Sequence, residues 1–185
     1  MSGRLEYKYL VHNSLIDAIR DEIRPYVSPD PVGGKDTGGT YVVRSIYYDT
    51  PGFSCYDAKL DGLKIRAKFR IRGYDRPADD SQVFLEIKRK YGGFIDKHRA
   101  PLMAKDLGTF MSSGDIDRYI ESGQPSPQTR RDAARFLYHY HRFGLHPAVL
   151  VVYDREAFFA SYGAPGSTSQ VYTLGAQSHV RVSFE

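Results

Sequence analysis

The sequence has no tryptophan and only one cysteine, Cys55, so no internal disulfide framework can form and a reducing compartment fits best. Cys55 reads as a small packing residue. No apolar run approaches 18 residues, and the N-terminus lacks the apolar core of a signal peptide, so a soluble cytoplasmic domain is expected. There is no P-loop: Gly33-Gly34-Lys35-Asp36 lacks the G-x-x-x-x-G-K-[ST] spacing and leads towards a strand rather than a helix. No Ser–His or Cys–His pair offers a nucleophile. His139, His141 and His146 are poor metal ligands, because residues 139 and 141 sit about 200° apart around a helix.

What is present suffices for a core. The chain has 185 residues, 41% of them hydrophobic, with aromatic content carried by 15 Tyr and 10 Phe. That composition argues against disorder, and the length is most simply one domain, residues 1–185. The net charge of +4 is a mild basic excess that fits an anionic partner without identifying one.

The decisive stretch is Gly62 to Tyr74. At period two it places Leu63, Ile65, Ala67, Phe69 and Ile71 on one face and Lys64, Arg66, Lys68, Arg70 and Arg72 on the other. Strict alternation predicts a strand with one buried face. Five cations about 6.7 Å apart repel one another unless something negative lies against them, which points to a polyanion site rather than an ordinary mixed outer face.

Around it, strands are predicted at Arg4 to Val11, Tyr41 to Tyr48, Gln82 to Tyr91, Phe94 to Leu102 and Ala148 to Phe159, with a hairpin closing at Gly92-Gly93. Asn13 or Ser14 is expected to cap a helix limited by Pro25, and Thr50-Pro51 to start a short helix ending near Gly62. Residues 28–40 read as a Gly/Pro-rich loop. Residues 104–144 read as a helical insertion, with a short segment at Asp115 to Ile120 and a longer helix from Gln128 to Phe143. Ser161 to Ser178 reads as a turn or weak hairpin. The order predicts an α+β domain on an antiparallel sheet.

Charges fall on one side of several strands. Glu86 and Lys88 alternate with Val83, Leu85 and Ile87; Lys97 pairs in phase with Arg99, Tyr153 with Arg155, and Arg181 with Ser183 and Glu185. An open sheet facing water and a barrel with a charged lumen both satisfy this periodicity.

Six motifs in order carry a resemblance: Arg4-x-Glu6-x-Lys8-Tyr9, Ile46-Tyr47-Tyr48-Asp49-Thr50, Lys68-x-Arg70-x-Arg72-x-Tyr74, Glu86-x-Lys88 with Lys97-x-Arg99, Tyr153-x-Arg155-x-Ala157-Phe158, and Val180 to Glu185. Together they resemble the VTC-domain polyphosphate polymerases, a branch of the triphosphate tunnel metalloenzymes that also include the CYTH proteins. The resemblance implies an antiparallel β-barrel tunnel with helices packed outside. It implies phosphotransfer from ATP to a polyphosphate chain. Catalytic roles fall on Lys8, Arg70, Arg72, Lys88, Arg155 and Arg181, and substrate contacts on Arg66, Lys68, Lys97, Arg99 and Tyr153. Glu6, Glu86 and Glu185 would hold Mn²⁺ or Mg²⁺, although an ion-pair role serves Glu6 equally well. ATP or another triphosphate and polyphosphate are the implied partners; a membrane-anchored partner subunit is not visible in the sequence.

Two departures matter. The first strand carries Arg4-x-Glu6-x-Lys8 where CYTH-type enzymes carry Glu-x-Glu-x-Lys, which favours the polymerase branch. The family also continues past the Arg181 strand, so an incomplete barrel is expected. Three other readings compete: a polyphosphate or triphosphate sensor without turnover, a tunnel enzyme hydrolysing triphosphates, and a nucleic-acid binder. The last is disfavoured because Phe69 lies opposite the cations and cannot stack bases held by them.

Overall fold

The computed structural model describes residues 9–29, 40–76, 78–120, 126–160 and 171–174. They belong to two compact units, one built on Arg44–Val151 and the other on Ser2–Val43 with Val152–Val180.

In the first unit the hydrogen-bonded strand order ends in β3 (Ile65–Tyr74), β4 (Gln82–Tyr91) and β5 (Phe94–Met103), with β2 (Thr40–Asp49) beside β3. β3, β4 and β5 form an antiparallel meander in which Phe69 faces Ile87 and Ile87 faces His98. The hairpin closes at Gly92-Gly93 as expected, with Gly92 at φ 55°, where a side chain would be strained. Phe69, Ile71, Leu85, Ile87, Ala100 and Leu102 bury the apolar face against Phe110 of α3 (Leu107–Ser113), against Phe136 and Leu137 of α5 (Pro127–Phe143), and against Leu145. The expected helical block is therefore three helices, with α4 (Ile116–Tyr119) the short segment capped by Asp115.

α5 forms where its sequence specifies it. Ser126 accepts the Thr129 N–H, Pro127 supplies a preset first turn, and Gly144 takes the left-handed φ of 58° while its N–H bonds the Tyr140 carbonyl. Ala133, Phe136, Leu137 and Tyr140 recur at helical spacing on the sheet side. Tyr48 of β2 meets Phe136 and Tyr140 edge-on, with centroids 6.2 and 6.1 Å apart.

The short helix after β2 starts later than Thr50-Pro51 predicts. α2 spans Ser54–Leu60, and Thr50 instead closes the turn before it, its Oγ1 accepting the Ser54 N–H at 3.0 Å. The cap comes from Asp49, whose buried carboxylate accepts the N–H groups of Thr50, Cys55 and Tyr56 at 2.7, 2.9 and 3.0 Å.

The second unit holds α1 (Ile16–Ile23), β1 (Val27–Pro29), the start of β2, most of β6 (His146–Ala160) and β7 (Val171–Leu174). β1 and β7 both pair antiparallel with β6. α1 is preceded by a 3₁₀ turn, Asn13–Leu15, whose cap is the His12 ring rather than Asn13 or Ser14. Arg20 ties α1 to β6, its Nε donating to Glu156 at 2.8 Å. Of the strand read over Arg4 to Val11, Tyr9, Leu10 and Val11 carry no regular structure, and residues 4–8 lie outside the described set. The Gly/Pro-rich loop lies outside it over 30–39, as do most of Ser161 to Ser178. Among the described residues no helix is long and apolar enough to cross a membrane.

Candidate functional site

The face of β3–β4–β5 opposite the helices is cationic in rows fixed by register. Arg66 lies opposite Lys90; Lys68 opposite Lys88 opposite Lys97; Arg70 opposite Glu86 opposite Arg99; and Arg72 opposite Phe84. These four rows carry eight cations, Arg66, Lys68, Arg70, Arg72, Lys88, Lys90, Lys97 and Arg99, against one carboxylate. Directly opposed like charges on neighbouring strands repel one another, so this register concentrates positive potential on one face and favours an anionic ligand there.

Glu86 organises the arginines. Its Oε2 accepts from Arg70 Nε at 2.6 Å and pairs with Arg70 Nη2 at 2.5 Å, and its Oε1 lies 3.4 Å from Arg99 Nε. Arg72 Nε is 3.9 Å from the same carboxylate. Each guanidinium has a further support. Arg70 Nη1 donates to the Tyr47 hydroxyl at 2.9 Å, and the buried Arg72 donates from Nε to Ser45 Oγ at 3.1 Å. Arg99 stacks 3.6 Å from the centre of the Phe84 ring and donates to the Tyr74 hydroxyl at 3.2 Å. Burial pulls the Arg70 guanidinium downward, but Glu86 and Tyr47 more than offset this and hold it above its ordinary value. Arg70 is therefore a fixed positive charge at any working pH.

A polar cluster on the helix side holds the site's edge strand. His98, 5% exposed, lies with its Nδ1 2.9 Å from Asp132 Oδ1 and its Nε2 2.9 Å from Asp96. Gln128 donates to Asp132 at 2.7 Å, and Arg135 Nη1 lies 2.9 Å from His98 Nε2. Asp132 Oδ2 accepts the Arg99 backbone N–H.

Of the residues read from the sequence, Arg66, Lys68, Arg70, Arg72, Glu86, Lys88, Lys97 and Arg99 come together on this one face. Tyr153 and Arg155 lie on β6 in the second unit, where Arg155 sits 5.7 Å from the Tyr41 ring centre. Glu6, Lys8, Arg181 and Glu185 lie outside the described residues. Ser45 was not singled out by sequence reading, and Tyr47 only within the Ile46 to Thr50 motif and without a site role, although their two-residue spacing within a predicted strand places them on one face. Glu86, a proposed metal ligand, is occupied by guanidinium groups, and among the described residues no three His, Cys, Asp or Glu side chains converge on a metal position. Among the described residues Glu86 is therefore the one carboxylate in these rows, and arginines hold it.

A family model agrees with the motif order. The model of the VTC domain family matches residues 3–164. The chain belongs to the VTC domain family. No curated protein matches it. Two solved structures are similar at 13% identity each. One is HpAC1 from Hippeastrum, a proposed adenylyl cyclase with a dominant triphosphatase activity, over 91% of this chain and 77% of that one, with a TM-score of 0.42. The other is a proposed adenylate cyclase from Bacillus halodurans, over 91% and 78%, with a TM-score of 0.45. This VTC domain has the α+β composition and antiparallel sheet expected of it.

Proposed function

We propose that this VTC domain binds the triphosphate of ATP and a polyphosphate chain on the cationic face of β3–β4–β5 and transfers the terminal phosphoryl group from one to the other. The observation that carries the reading is the stack of two rows, Lys68–Lys88–Lys97 beside Arg70–Glu86–Arg99. The arginines are held in fixed orientations by Glu86, Tyr47, Ser45 and Phe84, so their planar forks are set for phosphate oxygens before a ligand arrives. The lysines add point charges that neutralise a chain of phosphates. In the transfer, a terminal oxygen of the polyphosphate forms a bond to the γ-phosphorus of ATP. The bond from that phosphorus to the β–γ bridging oxygen breaks, and ADP leaves. Such a transfer needs position and charge neutralisation more than covalent help, which an array of fixed cations supplies.

Lys8, Arg155 and Arg181 are proposed to contribute further cations, and Tyr153 a polar contact. A divalent ion, Mn²⁺ or Mg²⁺, would take most of its oxygens from the phosphates, with Glu6 and Glu185 the carboxylates left to complete its shell. The reading places the protein in the cytoplasm, where ATP is available. A binding domain without turnover is the second reading, favoured by the engagement of Glu86 with guanidinium groups.

Calorimetric titration with tripolyphosphate, ATP and a short DNA, each with and without Mn²⁺, tests the binding step. Micromolar tripolyphosphate affinity that outcompetes DNA is expected; equal, weak and salt-sensitive binding of all three would reduce the face to a merely basic surface. Incubation with ATP then separates the activities. Chain growth with ADP release marks the polymerase, phosphate release a hydrolase, and neither a binding domain.

A further inference from the structure

The end of the β4–β5 hairpin has a different character from the rest of the sheet. Ile65, Tyr91 and Phe94 are register partners across three strands, on the face that the helices cover further along. Here they are uncovered: Ile65 is 62% exposed, Tyr91 42% and Phe94 69%. Ile95, on the opposite face, is 44% exposed, and Leu63, in the loop leading into β3, is 49% exposed. The Gly92 N–H bonds the Lys64 carbonyl at 2.8 Å, so the turn and that loop form one tip. Cations flank it. Lys64 and Arg66 alternate with Leu63 and Ile65, Arg89 and Lys90 precede Tyr91, and the Arg89 guanidinium lies 5.1 Å from the Tyr91 ring centre while donating to its hydroxyl. The one carboxylate in residues 63–66 and 88–97, Asp96, is engaged by His98.

We propose that this tip docks on an anionic lipid bilayer, with Ile65, Tyr91, Phe94 and Ile95 entering the headgroup boundary and Lys64, Arg89 and Lys90 against the lipid phosphates. The chemistry of the tip selects that partner. Exposed aromatic and aliphatic side chains ringed by Lys and Arg are the composition of interfacial membrane segments, where the apolar part is buried shallowly and the cations meet anionic headgroups. The shape agrees. A hairpin end turned on two glycines presents Phe94 on one face and Ile95 on the other. A protein partner resting on one side covers only one of these, whereas a fluid bilayer surrounds an inserted end. Strand addition by a second copy along β5 is disfavoured, because Pro101 lacks a donor and Asp132 already takes the Arg99 N–H.

The test is co-sedimentation of the full chain with phosphatidylcholine vesicles, with and without phosphatidylglycerol. Binding is expected only with the anionic lipid and should weaken as salt is raised. Phe94→Ser combined with Ile95→Ser, both exposed and so harmless to the fold, should lower the partition coefficient roughly tenfold or more. Lys90→Glu reverses one charge near the surface and should lower it about 25-fold. Tripolyphosphate affinity should stay unchanged in the Phe94/Ile95 variant, and saturating tripolyphosphate at constant ionic strength should leave wild-type vesicle binding in place. Failure to sediment with anionic vesicles would overturn the proposal. So would binding that survives the Phe94/Ile95 substitutions but is lost to tripolyphosphate, which would assign it to the cationic sheet face. Dimerisation of the vesicle-free chain that Phe94→Ser abolishes, or tighter Phe94-dependent binding of single-stranded RNA, would give the tip to another partner.

Discussion

Asp132 in the middle of α5 accepts the backbone N–H of Arg99 at 3.1 Å, while the Arg99 guanidinium lies across the strand on the cationic face. One helix carboxylate thus occupies a donor on the side of β5 away from β4 and sets the strand that carries part of the site. The same carboxylate meets the buried His98 ring and the Gln128 amide. Removing it strands several polar groups at once. Asp132→Ala is expected to cost about 3 kcal/mol in urea unfolding. A cost below about 1 kcal/mol would show that water replaces the carboxylate without loss.

Glu86 sits among three guanidinium groups, and that arrangement favours a positioning role. A metal ligand must leave oxygen lone pairs free, whereas both Glu86 oxygens face arginines. Glu86→Gln should therefore weaken tripolyphosphate binding by the same factor with and without Mn²⁺, roughly tenfold, because the loss lies in arginine positioning. A loss confined to the Mn²⁺ condition would return Glu86 to the metal site. Arg70→Ala and Arg72→Ala should each reduce tripolyphosphate affinity by about 100-fold while the chain stays folded, each removing a charge-assisted phosphate contact. Normal binding by either variant would sink the placement of the ligand on this face.

Much of this arrangement is legible from residue order, for a physical reason. From Ile65 to Arg72, β3 alternates apolar residues on one face with cations on the other, so a slip of one residue would bury four charges, and only one register survives. The Gly92-Gly93 turn then fixes β4 against β5, and Glu86 falls between Arg70 and Arg99 without further information. Asp132 was not legible: a lone acid in a helix rich in Arg looks like a solvated residue until β5 is packed beneath it. Asp49 was missed because its cap acts across six and seven residues, past a turn that holds Phe53 at φ 53°. The Thr50-Pro51 pair that drew the helix start closes the intervening turn instead. Membership of the VTC domain family came from motif order, since each motif is short and only their sequence along the chain is specific.

Tyr47 supports Arg70 through its hydroxyl and its ring, 2.9 Å from Nη1 and 5.7 Å from ring centre to guanidinium carbon. Tyr47→Phe keeps the ring and removes the hydrogen bond. Tripolyphosphate affinity should fall about ten-fold, in line with one hydrogen bond to a charged group, while the slope of affinity against salt stays the same. A changed slope would mean that the substitution alters the number of cations meeting the ligand rather than the aim of one.

Cys55 gives the clearest pH dependence. Burial, followed by the nearby Asp49 carboxylate, pushes its thiol up from about 9 to about 12. The folded state thus holds the proton more tightly than the unfolded chain does. The associated stability is fully present below pH 9 and is lost progressively as pH rises from 9 towards 12, because the unfolded chain releases the proton first. Between pH 9 and 10.5 the urea midpoint should fall more steeply for the wild type than for Cys55→Ala. A thiol reagent at pH 8 should label the native chain far more slowly than the unfolded one, since the attacking species is the thiolate. Equal labelling rates would mean that the Ser54–Leu60 helix opens readily and that the Asp49 cap contributes little to holding it.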